Sequence, residues 1–274
     1  MSEAARKLDG ETLKSFLSLV KTHTGITMEE RKRELLFARL RPRLRALGLE
    51  SPEAYLEYLH NHSDETQEFV NMVTTNETLF FRTPLIWDYF RNEYLPEWSI
   101  KNSDGTLRVW SAASSTGEEA FSIAMTCEEY KMTKPSFRYQ ISGSDIDTNV
   151  LERARSGIFK ERNTAEFKKK YPELFEKYFK TLPTGECKAL DILFQRMDFS
   201  IHNLHTRPSK IGHYDIVFLR NVLIYFTDVD QELVLRNIFQ AVKPGGFLIV
   251  GESESLARLK TDFTFHKPLI YKKG

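Results

Sequence analysis

The chain has 274 residues, enough for two domains with separate cores, and 41% of them are hydrophobic. Its 39 Lys and Arg against 38 Asp and Glu leave a formal charge of +1, so no basic footprint supports wholesale nucleic-acid binding. No apolar run approaches the roughly 20 residues that cross a bilayer, Met1–Lys7 has no apolar leader, and the two cysteines and seven histidines lack ligand spacing; a cytosolic, metal-free protein with reduced thiols is expected.

Up to about residue 95 the pattern is helical without a convincing strand, which marks residues 1–95 as a helical N-terminal domain. Leu13, Phe16, Leu17 and Val20 recur at helical spacing, with Gly25 as the stop. Thr27 with Glu30 predicts a capping box for a second helix, whose Leu36, Leu40, Leu44 and Leu47 share one side and which Gly48 closes. The same helix carries Arg31, Lys32, Arg33, Arg39, Arg41, Arg43 and Arg45 against a lone Glu34. Arg31, Arg41 and Arg45 project opposite the leucine stripe, and Pro42 leaves the phase beyond it open. Such a face is either solvated or a docking surface for something acidic, a glutamate-rich helix or a nucleic acid. Ser51 before Pro52 starts a third helix, and Asp64 with Gln67 a fourth carrying Phe69, Val70 and Val73. Thr75-Asn-Glu-Thr-Leu-Phe-Phe-Arg82 then combines hydrogen-bonding residues, two aromatics and an arginine; it suits a segment closing over a cofactor or a buried interdomain linker.

From residue 106 strands and helices alternate, which predicts a doubly wound, mostly parallel sheet over residues 96–274. Strands are expected at Leu107–Ser111, Tyr139–Asp145, Tyr214–Leu219 and Gly246–Val250, with helices at Glu118–Tyr130, Asn149–Ser156 and Asp228–Val242, the last stopped by Lys243-Pro-Gly-Gly246. Residues 157–197 interrupt this rhythm: a lysine-rich helical piece, then turn chemistry and the extended-looking run Leu190–Arg196, predict a small β insertion at about 175–198. Phe263–Tyr271 reads as a final edge strand or hairpin.

The stretch Leu107–Ala124 is a strand, a turn of small residues (Ala112 to Gly117) and a helix opened by Glu118 and Glu119; a second strand then ends in Asp145. Small side chains let a ligand approach the backbone, and a strand-end carboxylate accepts from both hydroxyls of a ribose. A pyrophosphate site wants three glycines, and this turn has Gly117 alone, followed by two acids that repel phosphate and suit a cation. Adenosine with a positively charged amino acid end, S-adenosylmethionine, fits better than NAD. Arg220-Asn221 follows the strand Asp215–Leu219, so Asp145, Asp198, Arg220 and Asn221 are expected in one cleft at the strand ends.

With these motifs in place, the chain resembles the CheR-type chemotaxis receptor methyltransferases over nearly its whole length. The resemblance rests on Thr75–Arg82, on Val109–Glu119, on Ser144–Thr148 with Ala154–Gly157, and on Arg220–Phe226, in the family's order. It implies a class I, Rossmann-like S-adenosylmethionine-dependent methyltransferase sheet, a helical N-terminal domain that docks substrate, and a small β insertion. It also implies that Asn76, Thr78, Arg82, Glu118, Asp145, Arg220 and Asn221 line the cofactor pocket, with Arg82, Arg220 and Tyr225 at the methyl-transfer centre. Asp198 and Phe199 fall where the family commonly has an Asn-Leu pair near the adenine, and Ala113-Ser114 where many members have Gly-Cys.

The implied reaction methylates glutamate side chains on cytoplasmic chemoreceptor helices, giving γ-methyl esters and S-adenosylhomocysteine. A glutamate with a pKa near 4.3 is ionised at neutral pH and needs no general base, so position, with reacting atoms roughly 3 to 3.5 Å apart, is what the enzyme must supply. Arg31, Arg39, Arg41, Arg43 and Arg45 are the expected docking residues. A cytoplasmic monomer recruited to membrane receptor arrays is expected, without nucleic acid or membrane insertion. The insertion is short for the hairpin that tethers some members to a receptor tail. The rival readings are a methyltransferase for RNA or a small molecule, and a noncatalytic adaptor that senses S-adenosylmethionine.

Overall fold

In the computed structural model the described residues are 10–274; residues 1–9, on which the expectation about a leader falls, lie outside them. The chain forms two compact units, one reaching to Thr75 and taking in Tyr225–Asp230, the other comprising Asn76–Ile224 and Gln231–Gly274.

The first unit holds α1 (Gly10–Thr24), α2 (Arg33–Leu47), α3 (Pro52–Asn61) and α4 (Glu65–Val73). Phe16 is its pivot, fully buried and stacked on Tyr55 and Phe69 at centroid distances of 6.2 and 6.1 Å. Leu36, Leu40 and Leu44 are buried as the stripe predicts, and Gly48 closes α2 in the left-handed region at φ +67°. Pro42 lies inside α2 without ending it. The capping box does not form. The Thr27 hydroxyl instead accepts from Lys21 Nζ at 3.1 Å and its N–H donates to the Tyr225 carbonyl at 2.9 Å, so a 3-10 turn, Glu30–Lys32, leads into α2.

The chain continues through α5 (Pro84–Tyr89), a π turn (Phe90–Tyr94), α6 (Leu95–Lys101), β1 (Thr106–Ser111), α7 (Glu118–Thr133), β2 (Arg138–Asp145), α8 (Thr148–Ser156), β3 (Ile158–Phe159), α9 (Glu161–Lys170), α10 (Pro172–Tyr178), β4 (Phe179–Thr181), β5 (Cys187–Ala189), α11 (Asp191–Phe194), β6 (Met197–Ile201), β7 (Tyr214–Leu219), a 3-10 turn (Leu223–Tyr225), α12 (Asp228–Ala241), β8 (Val242–Val250), β9 (Phe263–Lys267) and β10 (Ile270–Lys273). Seven strands form one sheet in the order β6-β2-β1-β7-β8-β10-β9, parallel from β6 to β8, with β10 and β9 added antiparallel as a hairpin. The continuous burial of β7 and of the carboxyl-terminal halves of β1 and β2 follows from helices covering both faces.

Three differences from the sequence pattern have physical reasons. The helical stretch Pro84–Lys101 packs on the sheet, Trp87 and Phe90 lying 5.8 and 5.5 Å from the ring of Phe218, so the units divide at Thr75/Asn76 and not near residue 95. The insertion begins earlier than residue 175, because β3 supplies one edge of an antiparallel β3-β5-β4 sheet. Leu190–Arg196 is not extended: a turn of helix there buries Leu193 and brings Phe194 to 2.3 Å from where a Cβ on Gly157 would stand.

Candidate cofactor site

β1 lies between β2 and β7, so the chain leaving its carboxyl end enters the crevice where strand order reverses, the usual ligand position in such sheets. The turn there is fastened on both sides, the Ala112 N–H donating to the Phe218 carbonyl at 2.9 Å and the Ser114 N–H to the Ser144 carbonyl at 2.8 Å. Gly117 sits at φ +97°, and a Cβ on it would meet Ala154 at 3.1 Å and the Phe121 ring at 3.2 Å, so only glycine makes this corner.

Asp145 is the last residue of β2 and is 8% exposed. One carboxylate oxygen accepts the Ser115 N–H at 2.9 Å and the other the Asp147 N–H at 3.1 Å. A third backbone N–H, that of Ile146, also acts on this carboxylate. Burial pushes this carboxyl up to about 6, with the backbone N–H groups acting in the opposite direction.

The two glutamates that open α7 differ. Glu118 is fully buried, accepts from the Thr116 hydroxyl at 2.5 Å and the Asn163 amide at 2.9 Å, and is raised above the ordinary carboxylate range by burial. Glu119 accepts from the Ser111 hydroxyl at 2.7 Å and pairs with Arg220 at 2.9 Å, an internal ion pair.

Arg220, expected in the cleft at the strand ends, has its guanidinium turned into the fold. Its side chain is 2% exposed, and beyond Glu119 it donates to the Arg82 carbonyl at 2.8 Å and the Thr83 hydroxyl at 2.9 Å. It fastens the segment after Asn76 to the end of β7. The same segment is held elsewhere: the Asn76 amide donates to Asp147 at 2.6 Å, the Ser115 hydroxyl donates to the Asn76 carbonyl at 2.8 Å, and the Phe81 N–H donates to the Ser122 hydroxyl at 3.0 Å. Phe80 stacks on Phe167 at 4.8 Å. Thr78 is half-buried and, with Asn76, Thr116, Arg153 and Arg162, lines a polar cavity of about 330 Å³. Of the five non-glycine residues at positive φ among the described residues, Phe81, Thr83, Ser115 and Asn221 belong to these segments. Strain of this kind persists where the surroundings over-determine the backbone.

Other expected residues are placed differently. Asp198 and Phe199 lie within β6, where Asp198 accepts from the Ser142 hydroxyl at 3.3 Å and Phe199 packs at 2.4 Å from the position a Cβ on Gly143 would take. They are not at the strand's carboxyl end. The residues just beyond β6 are His202, Asn203 and Leu204. Tyr225 ends the 3-10 turn Leu223–Tyr225 and is grouped with the first unit, as its bond to Thr27 implies. Glu254, unnoticed in the sequence, accepts four backbone N–H groups, including those of Asn221, Val222 and Leu223. An acid just past the apolar strand Phe247–Val250 was the available signal.

The arginines of α2 separate into two groups. Arg39 donates to the Val73 carbonyl and to the Thr75 hydroxyl at 2.7 Å, and burial lowers its pKa. Arg43 is bonded through Nε to buried Glu65 at 2.8 Å. Both are engaged within the helical unit. Arg31, Arg41 and Arg45 are exposed, Arg31 bonded to Glu29 at 2.9 Å and Arg41 lying 4.6 Å over the Phe37 ring.

The residues present fit an adenosyl cofactor with a cationic end. Beside the bare turn, the Ser114 hydroxyl is buried without a hydrogen-bond partner among the described residues, and Asp145 supplies a strand-end acceptor. No phosphate cradle of glycines is present in Ala112–Gly117. No group of His, Cys, Asp and Glu among the described residues is arranged to hold a metal ion, and no described helix is long and apolar enough to cross a membrane.

Comparison with known proteins agrees on the cofactor. Residues 76–271 match the family described as CheR methyltransferase, SAM binding domain, and residues 11–74 match CheR methyltransferase, all-alpha domain. The chain is 39% identical over 263 residues to the chemotaxis protein methyltransferase of Escherichia coli (strain K12), covering 92% of this chain and 87% of that protein. It is 37% identical to that of Salmonella typhimurium, covering 92% and 86%, and 31% identical to that of Vibrio parahaemolyticus, covering 97% and 98%.

Proposed function

The chain belongs to the CheR methyltransferase family and is an S-adenosylmethionine-dependent methyltransferase, and from that premise we propose that it methylates glutamate side chains on the cytoplasmic helices of chemoreceptors. The observation that carries the proposal is the strand-end carboxylate of Asp145, 2.9 Å from the Ser115 N–H of a turn built from small residues.

In this assignment Asp145 accepts from the ribose, Glu118 takes the ammonium end, and Asn203 and Leu204 lie on the adenine side in place of Asp198 and Phe199. Asn76, Thr78 and Asn221 shape the walls. Arg82 and Tyr225 attend the incoming carboxylate, and Arg220 positions the Arg82–Thr83 backbone. When bound, S-adenosylmethionine supplies an electrophilic methyl on a sulfonium. The substrate glutamate is already ionised at neutral pH, so the protein removes no proton from it and contributes orientation. The exposed arginines Arg41 and Arg45 suit an acidic receptor helix as the docking partner, with a monomeric enzyme recruited to receptor arrays.

Incubation with methyl-labelled cofactor and receptor cytoplasmic fragments tests the substrate. The expected product is label on the receptor that base releases, as an ester requires. Label on RNA or a small molecule without receptor, or base-stable label, overturns the assignment.

A further inference from the structure

β7 and β8 run parallel with Leu219 level with Val250, so the loops leaving them start side by side at one edge of the sheet. The loop after β8 turns back, the Glu254 N–H donating to the Gly251 carbonyl at 3.0 Å, and carries the 6% exposed Glu254 under the chain leaving β7. One carboxylate oxygen accepts the N–H groups of Asn221 at 2.8 Å and Gly251 at 2.6 Å; the other accepts those of Val222 at 2.8 Å and Leu223 at 2.7 Å. These four backbone donors form an anion-binding concavity of the kind that left-handed turns create, with Asn221 at φ +58°. Its anion comes from the chain itself. A Cβ on Gly251 would stand 2.8 Å from both the Glu254 carboxylate and the Asn221 amide nitrogen, so the packing leaves no alternative residue there.

We infer that Glu254 is a positioning residue for methyl transfer: as the internal anion of this nest it fixes the loop Asn221–Leu223, and with it the Asn221 side chain, at the carboxyl end of β7. The inference rests on the methyltransferase reading of the site.

Three variants test it by amide hydrogen exchange, S-adenosylhomocysteine calorimetry and receptor methylation kinetics. Glu254→Gln keeps the shape but turns an NH2 toward two N–H donors; exchange protection at residues 221–223 is expected to be lost, with kcat at least tenfold lower and the receptor KM within threefold. Glu254→Asp, charged but one carbon short, is expected to fall between Gln and wild type. Glu254→Ala is expected to regain at least threefold in kcat with added formate and nothing with chloride. A folded Gln variant with wild-type protection or kcat within twofold of wild type overturns the role, as does failure of all three variants to fold. If the wild-type protein itself transfers no base-labile methyl, the receptor reading has failed, and the exchange measurement still decides whether Glu254 fixes the loop.

Discussion

The Arg220 guanidinium lies 2.9 Å from the Glu119 carboxylate, and the two bridge the end of β7 and the first turn of α7 without solvent access to speak of. A buried pair of this kind contributes little net stability when intact, yet breaking it strands a charge. Arg220→Ala is therefore expected to destabilise the protein by about 3–5 kcal/mol, and to release the Arg82–Thr83 segment that the same guanidinium holds. Urea unfolding of wild type and variant measures this. A loss under about 1 kcal/mol is the size of an exposed pair and contradicts the burial argument.

Asp145 makes cofactor binding depend on pH. A ribose hydroxyl donates, so it needs the ionised carboxylate; with the carboxyl pushed up to about 6 by burial, that form dominates above pH 6 and is lost below it. Affinity for S-adenosylhomocysteine is expected to be flat from pH 7 to 8 and to fall as pH drops through about 6, approaching tenfold per pH unit. Asp145→Asn is expected to bind weakly with a shallower profile, which calorimetry at several pH values resolves. An identical profile in the variant contradicts the assignment.

Among the α2 arginines, opposite outcomes are expected for the pair Arg41 and Arg45 and for Arg43 between them. Arg41→Glu with Arg45→Glu is expected to raise the receptor KM severalfold, with cofactor affinity and unfolding unchanged, because both side chains are exposed. Arg43→Ala is expected to lower stability by about 1–3 kcal/mol, since it leaves the 3% exposed Glu65 with fewer partners. Methylation kinetics and urea unfolding on the same samples separate the two. A normal receptor KM in the double reversal contradicts docking on α2.

Gly143 offers a packing test. An added methyl would stand 2.4 Å from the Phe199 ring and 3.3 Å from the Ser114 hydroxyl, so the ring must shift to admit it. Gly143→Ala is expected to cost about 1–3 kcal/mol in overpacking and to weaken S-adenosylhomocysteine binding by disturbing the turn. Gly143→Ala with Phe199→Leu is expected to recover part of both. Melting temperature and calorimetry read the outcome.

Where local chemistry decides an element, the sequence was informative. The turn from Ala112 to Gly117 and the acid at Asp145 stand where small residues and a strand end require them, and β7 was read to the residue. Where tertiary contacts decide, the sequence was silent or misleading. β6 alternates between half-buried and exposed positions as an edge strand, so its apolar signal is weak and does not show that the strand runs on past Asp198 to Ile201. The roles of Arg39, Arg43 and Arg220 depend on partners 22 to 138 residues away, the carbonyl of Arg82 and the carboxylate of Glu65 among them. No periodicity reports such partners. Glu254 was missed for the same reason, its donors being backbone groups some thirty residues upstream.

The claim on which the account rests is that the cofactor lies beyond the ends of β1 and β2 and is held by Asp145. Calorimetric titration of S-adenosylhomocysteine into folded Asp145→Ala tests it most directly. The account predicts affinity at least ~30-fold weaker, about 2 kcal/mol, as expected for losing a hydrogen bond to a charged group. Affinity equal to wild type would contradict it.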